Sequence, residues 1–358
     1  MVEAPPVSRA PSVAQKVWPK LAVSLVLALG FVWMFKKGGV PLLPDEAARA
    51  TLSIQGVVGY TVALAVCVFL RTWRWVYLLR PIDPDVKAWP TFGIGLVGFA
   101  LVMLSPFRMG ELVRPYLIAR RSRVTFVQAT GTIAGERIVD GLLLSIALFL
   151  GLLLSTPIHP LPDHLGKLAV PVAAVPAAAR SALALFGAAF VAMGLFYWAR
   201  GFARRLTNAV VGVVSKRLAA WITHKIESVA DGLSFLPSRD HGVPFFLHSL
   251  VYIFTCVLLC WVGVWAVGLR VTFAQAAVLM GVSGLGILIP AGPGFFGAYQ
   301  IANFCALAMF FPEEVVLREG AAYVFLSYVT QLAMTLGTMG LGAVLMRGSP
   351  EVVELEAS

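Results

Sequence analysis

The sequence predicts an all-α polytopic membrane protein, with about six full spans plus two re-entrant helical hairpins arranged as an inverted-topology repeat. Three observations carry that expectation. The 358 residues are 59% hydrophobic and only 13% charged, whereas soluble domains lie nearer half apolar and a quarter charged. Six apolar stretches are long enough to cross a hydrocarbon layer, and two more are interrupted by Pro and Gly. Lys and Arg are divided unevenly between alternate loops.

In chain order, residues 1–16 form a cytoplasmic tail. Arg9, Lys16 and Lys20 precede the apolar run Leu21 to Phe35, a pattern that imitates a signal peptide. The run ends in Lys36-Lys37-Gly38-Gly39 without a small-x-small cleavage site, so 17–35 reads as an uncleaved first span. Spans at 52–70 and 125–155 complete the first repeat, 17–155, with a broken segment at 89–118 between them. An extracytoplasmic loop, 156–180, leads to the second repeat, 181–346. That repeat holds spans at 181–199, 245–267 and 320–346, an amphipathic cytoplasmic segment at 200–244 and a second broken segment at 273–311. Residues 347–358 form a cytoplasmic tail.

Charge decides how the broken segments are read. With 89–118 as a hairpin entering from the cytoplasm, 18 Lys and Arg lie inside and 7 outside, with Arg108, Arg114 and Arg137 within the membrane. If 89–107 crossed completely, Arg120, Arg121, Arg123 and the basic residues of 200–244 would all move outside and the bias would vanish. The element order span, span, hairpin, span then occurs twice, the second time in opposite orientation. Secondary transporters share this architecture and bind substrate at discontinuous helices. The net charge of +10 reflects topology and attraction to anionic lipid rather than nucleic acid.

Charged residues within the apolar runs are the candidate site. Glu136, Arg137 and Asp140 sit in the middle of the 125–155 span, where one charge costs about 2.5–3.5 kcal/mol. They should therefore face protein, water or a polar substrate. Arg108, Glu111 and Arg114 recur at spacings of three in the first broken segment and share a stripe if it is helical. The six charges sum to zero. One reading is a salt-bridge network that locks the hairpin to the third span. The other is that Arg108 or Arg114 engages a phosphate or other anion, since the guanidinium fork donates two parallel bonds. On that reading, Arg108→Gln abolishes transport.

The second broken segment turns at Pro290-Ala291-Gly292-Pro293-Gly294-Phe295-Phe296-Gly297. Gly292, Gly294 and Gly297 permit close backbone approach, and a helix starting near Phe295 would aim its N-terminus into a cavity. Gln300 and Asn303 follow as candidates for a polar path, or as interhelical glue. The G-x-G-x-x-G of Gly93 to Gly98 lies in an apolar membrane arm, and Gly131 to Gly135 is a G-x-x-x-G; both read as helix packing. Cys67, Cys256, Cys260 and Cys305 fall in apolar runs and read as free thiols. No P-loop, nucleophile elbow or metal-binding spacing is present, so neither a cofactor nor a metal is expected.

Three stretches together resemble the lysylphosphatidylglycerol synthetase transmembrane, or flippase-like, family: Pro106-Phe107-Arg108-Met109-Gly110-Glu111-x-x-Arg114, Glu136-Arg137-Ile138-Val139-Asp140, and Pro290 through Gln300. The resemblance covers roughly residues 20–346 and includes the membrane half of the multiple peptide resistance factor. It implies a lipid flippase-like transporter of the bacterial plasma membrane, moving a polar-headed lipid or lipid-linked precursor between leaflets. The expected partners are membrane lipids with anionic or polar headgroups, and a homo-oligomer is compatible with it. The chain looks like the membrane unit alone, without an aminoacyltransferase domain, and is expected not to be an enzyme. A small-solute secondary transporter, or a membrane partner or enzyme acting on lipid-linked intermediates, are the alternatives. Two departures stand out. The family's third motif usually ends in an acid where this chain has Gln300, and Phe295 replaces a usual glycine.

Overall fold

The computed structural model describes residues 13–105, 110–201, 205, 209, 216–289 and 291–347. The predicted spans form helices α1 (Val13–Gly38), α2 (Ile54–Trp73), which is continued by the short α3 (Trp75–Leu79), α6 (Phe126–Leu154), α7 (Val175–Trp198), α9 (Arg239–Ala266) and α12 (Ala321–Met346). The broken segments form α4 (Ala88–Leu104) with α5 (Val113–Ala119), and α10 (Phe273–Gly286) with α11 (Ala298–Ala308). Between the halves lies α8 (Lys216–Asp231). Five helical stretches are long and apolar enough to cross a membrane: Ile54–Leu79, Phe126–Leu154, Val172–Trp198, Arg239–Ala266 and Glu313–Met346. Helix α1 covers the first predicted span, 17–35, but stands outside that set.

Local sequence explains where helices begin. Thr125 and Thr272 each accept a hydrogen bond from the backbone N–H of a Gln three residues on, whose side chain returns to the threonine's own N–H. These two capping boxes satisfy donors that hydrocarbon could not.

The boundaries differ from the sequence expectation in one consequential place. The second span does not stop at 70 but runs on through Leu79, because the apolar pattern resumes at Trp75-Val76-Tyr77-Leu78-Leu79. Arg71 and Arg74, which would be cytoplasmic flanks of a span ending at residue 70, therefore lie inside the bundle. The loop at 156–180 is also not wholly irregular. It contains a small antiparallel pair, His164–Leu165 with Leu168–Ala169, and α7 begins within it.

Packing crosses between the halves. The first helix of each broken segment lies along the last span of the other half, α4 on α12 and α10 on α6, while α2 packs on α9. Each broken segment also folds back on itself. Gly98 of α4 lies against the Arg114 side chain of α5, and Gly286 of α10 against Ala302 of α11. A Cβ on Gly93 would meet the carbonyl of Gly342, and one on Gly131 that of Val229, so both glycine patterns are packing surfaces. Helix α8 is held against α6 at its C-terminal end, where Ala230, Leu233 and Phe235 are buried. Much of the remaining amphipathic segment (202–204, 206–208 and 210–215) lies outside the described residues.

Candidate functional site

Arg74 organises the charged centre. Its guanidinium is fully buried and donates to both oxygens of Asp140 at 2.5 Å, to Glu136 Oε1 at 3.1 Å and to Ser249 Oγ at 3.1 Å. Glu136 and Asp140, four residues apart on α6, thus share a face as their spacing predicts. Glu136 Oε2 also accepts from Arg114 Nη2 at 2.9 Å. One fully buried carboxylate therefore ties α5 and α2 to α6. Breaking such a buried pair costs about 3–5 kcal/mol because the remaining charge is left uncompensated.

Around Phe99 the guanidiniums are in excess. Arg71 stacks 3.5 Å from the ring centroid, Arg114 lies at 4.5 Å and Arg137 at 5.5 Å. Arg114 also covers Trp75 at 4.3 Å. Among the described residues, four arginines (Arg71, Arg74, Arg114, Arg137) face three carboxylates (Glu111, Glu136, Asp140) in this region. Arg137 Nη1 lies 3.9 Å from Asp140 Oδ2. Arg71 Nε, Arg137 Nε, and Arg114 Nε and Nη1 are buried without a hydrogen-bond partner among the described residues. Buried charged donors left unmatched are costly, so the arrangement favours an added anion.

A cavity of about 600 Å³ opens beside this cluster. Arg71, Arg137, Glu111 and Asp140 line it, and Leu64, Leu96, Met103, Leu144, Phe186 and Leu288 contribute to its apolar wall. Phe295, Tyr299, Asn303 and Gln331 reach it from the second broken segment and α12.

The sequence candidates are thus separated. Arg137, Asp140, Glu111 and Asn303 line the cavity. Arg114 and Glu136 are buried beside it and bonded to each other, and they do not line it. The first broken segment is not one continuous helix: α4 ends at Leu104, and Glu111 lies in a 3-10 turn at residues 110–112 that runs directly into α5 at Val113, so Glu111 and Arg114 stand three apart on helical backbone. Arg108 lies at 106–109, outside the described residues, as does Pro290.

Gly292 is buried against Ala28 of α1. Gly294 has φ of 70° and Gly297 φ of 95°, both in the region only glycine enters freely. A Cβ on Gly294 would lie 2.7 Å from the Tyr328 hydroxyl, and one on Gly297 would enter the ring of Phe31. The helix after this turn starts at Ala298, not near Phe295. Gln300 is buried and its Oε1 accepts from the Gly297 N–H at 2.7 Å, capping α11 rather than facing the cavity. Asn303 is fully buried, accepting from Ser283 Oγ at 2.9 Å and donating to the Tyr299 carbonyl at 2.8 Å.

Sequence reasoning missed Arg71, Arg74, Ser249 and Tyr252. The available signal was the apolar run that resumes after Arg74. Among the described residues, no group of three or more His, Cys, Asp or Glu could hold a metal. The four cysteines are free thiols, with Cys67 and Cys256 sulfurs 3.7 Å apart.

A family model described as the lysylphosphatidylglycerol synthase TM region matches residues 18–348. No curated protein and no solved structure matches the chain.

Proposed function

The chain belongs to the lysylphosphatidylglycerol synthase transmembrane-region family, and from that premise we propose that it is a flippase-like lipid transporter that takes a phosphate-bearing headgroup into the cavity beside Arg71 and Arg137. The observation that carries the reading is the set of unmatched buried guanidinium donors around Phe99, next to a cavity whose remaining wall is largely apolar. A phosphodiester supplies the missing acceptors, and its delocalised charge suits the planar guanidinium. Acyl chains find the apolar wall and the exposed Leu288 and Ile289.

In this reading both broken segments are re-entrant hairpins, and the two halves form an inverted-topology repeat. The exchange of packing partners between α4–α12 and α10–α6 supports it, because swapping the halves leaves the pattern unchanged. Alternating access then follows from rocking one half against the other around the cavity. Arg114, Glu136, Arg74 and Asp140 hold the floor of the site, while Arg71 and Arg137 meet the ligand. The termini lie in the cytoplasm of a bacterial cell, and the protein acts as a transporter rather than as an enzyme.

The test is leaflet exchange in vesicles containing the purified chain and a headgroup-labelled phosphatidylglycerol, read by quenching of the outer leaflet. Wild-type protein accelerates exchange and Arg71→Gln does not. Exchange by Arg71→Gln at the wild-type rate, or none by the wild type for any phospholipid, rejects the reading.

A further inference from the structure

Beyond the arginines the cavity wall changes character, beginning at Tyr252, whose ring centroid lies 4.8 Å from the Arg74 guanidinium. It is built there from Tyr60, Tyr252, Tyr299, Tyr323, Asn303 and Gln331, carried on α2, α9, α11 and α12. These groups are neutral hydrogen-bonding side chains, four of them with an aromatic face. The charged residues that line the cavity are Arg71, Glu111, Arg137 and Asp140, all from α2, α6 and the first broken segment, among the described residues. Asp140 is engaged by Arg74, and Glu111 precedes α5. No carboxylate is contributed by the helices of the neutral wall.

This wall is held in place. Asn303 is fixed by Ser283 and by the Tyr299 carbonyl, and the Tyr299 and Tyr328 rings lie 5.8 Å apart at 42°. Gly263 admits the rings of Tyr60 and Tyr323, which a Cβ there would meet at 2.9 Å or closer. Protein partners fix part of this wall, Asn303 by Ser283 and the Tyr299 carbonyl, Tyr299 beside Ser327 and Tyr323 beside Cys260. The remaining lone pairs and N–H groups of its neutral hydroxyls and amides face the cavity as ligand-binding capacity.

We infer that the headgroup is bipartite: a phosphodiester at Arg71 and Arg137, joined to an uncharged, hydroxyl-rich polyol or sugar that lies against the Tyr60, Tyr252, Tyr299 and Gln331 side chains. This rests on the lipid reading above and narrows it. Aromatic faces cover the C–H side of a polyol while phenols and amides exchange hydrogen bonds with its hydroxyls. An ammonium-bearing headgroup would find no counter-ion on this wall, and a buried unpaired cation is strongly disfavoured. The cavity volume of about 600 Å³ accommodates both parts, within the roughly 300–1,000 Å³ of ordinary ligand sites.

The experiment titrates the purified full chain in nanodiscs with four probes: dioctanoyl phosphatidylmethanol, dioctanoyl phosphatidylinositol, dioctanoyl lysylphosphatidylglycerol and deacylated glycerophosphoinositol. Phosphatidylinositol is expected to bind about tenfold or more tighter than phosphatidylmethanol, the equivalent of one or two net hydrogen bonds. Tyr299→Phe combined with Gln331→Leu should bring that ratio to about twofold without weakening phosphatidylmethanol. Equal affinity for the two phosphodiesters, or preference for lysylphosphatidylglycerol, overturns the inference while Arg71-dependent phosphatidylmethanol binding upholds the lipid reading. Glycerophosphoinositol binding as tightly as phosphatidylinositol supports the headgroup class and overturns the lipid as its source. Failure of every lipid to bind overturns both.

Discussion

The two broken segments solve one problem in opposite ways. Each interrupts an apolar helix and must satisfy backbone and side-chain polar groups where water is scarce. The first does so with charge drawn from elsewhere: Arg114 of α5 reaches Glu136 of α6, which shares Arg74 of the α2–α3 junction with Asp140. The second uses local backbone chemistry, with glycines at positive φ and Gln300 capping the next helix. The difference teaches where each can change. Ionic joints transmit the loss of one partner to three helices, whereas a backbone turn contains its own damage. It also divides labour at the cavity, with charge on one side and neutral hydrogen bonding on the other.

The sharpest way to break the comparison is Glu136→Gln. It leaves Arg114 without its carboxylate and Arg74 with Asp140 alone, so a loss of about 3–5 kcal/mol is expected, read as a large fall in thermal stability in detergent. A change as small as that of a surface substitution would mean that the ionic joint does not hold the first segment.

Next in size is Arg71→Gln. Arg71 forms no ion pair among the described residues, so stability should be nearly unchanged, while anion affinity should fall about 10- to 100-fold, the worth of one charge-assisted hydrogen bond. Titration with dioctanoyl phosphatidylmethanol measures it. Unfolding of this variant would instead assign Arg71 to the structural network.

Legibility from sequence follows the same division. Glu136, Arg137 and Asp140 announced themselves because carboxylates in the middle of an apolar span have few bland explanations. Arg71 and Arg74 did not, because cations at the end of an apolar run ordinarily set topology. Only tertiary packing turns them inward, Arg74 through Ser249 of α9 and the carboxylates of α6, Arg71 through the Phe99 ring. The spacing of Glu111 and Arg114 pointed to helical backbone, and both lie on it, but only Arg114 is turned to Glu136 while Glu111 lines the cavity. The helix order and both interruptions were readable from hydropathy and from Pro and Gly. The crossed packing of α4 with α12 and α10 with α6 was not, because no periodicity within a helix names its partner.

Two smaller predictions probe the second turn. Phe295 has φ of 58° and lines the cavity, and a non-glycine residue there carries a cost of about 1–2 kcal/mol. Phe295→Gly should therefore raise unfolding stability by about 1 kcal/mol, and destabilisation would show that the ring's packing outweighs the backbone. Gln300→Leu removes the cap on the Gly297 N–H and should cost about 1 kcal/mol without altering headgroup selectivity. A change in selectivity would place Gln300 in the path after all.

The central claim, that a phosphate-bearing lipid occupies the cavity through Arg71, is tested most directly by phosphorus analysis of protein purified through extensive detergent exchange. Wild type should retain stoichiometric lipid phosphorus, and Arg71→Gln, equally folded by thermal denaturation, should retain little. Equal phosphorus in the two proteins would contradict the account.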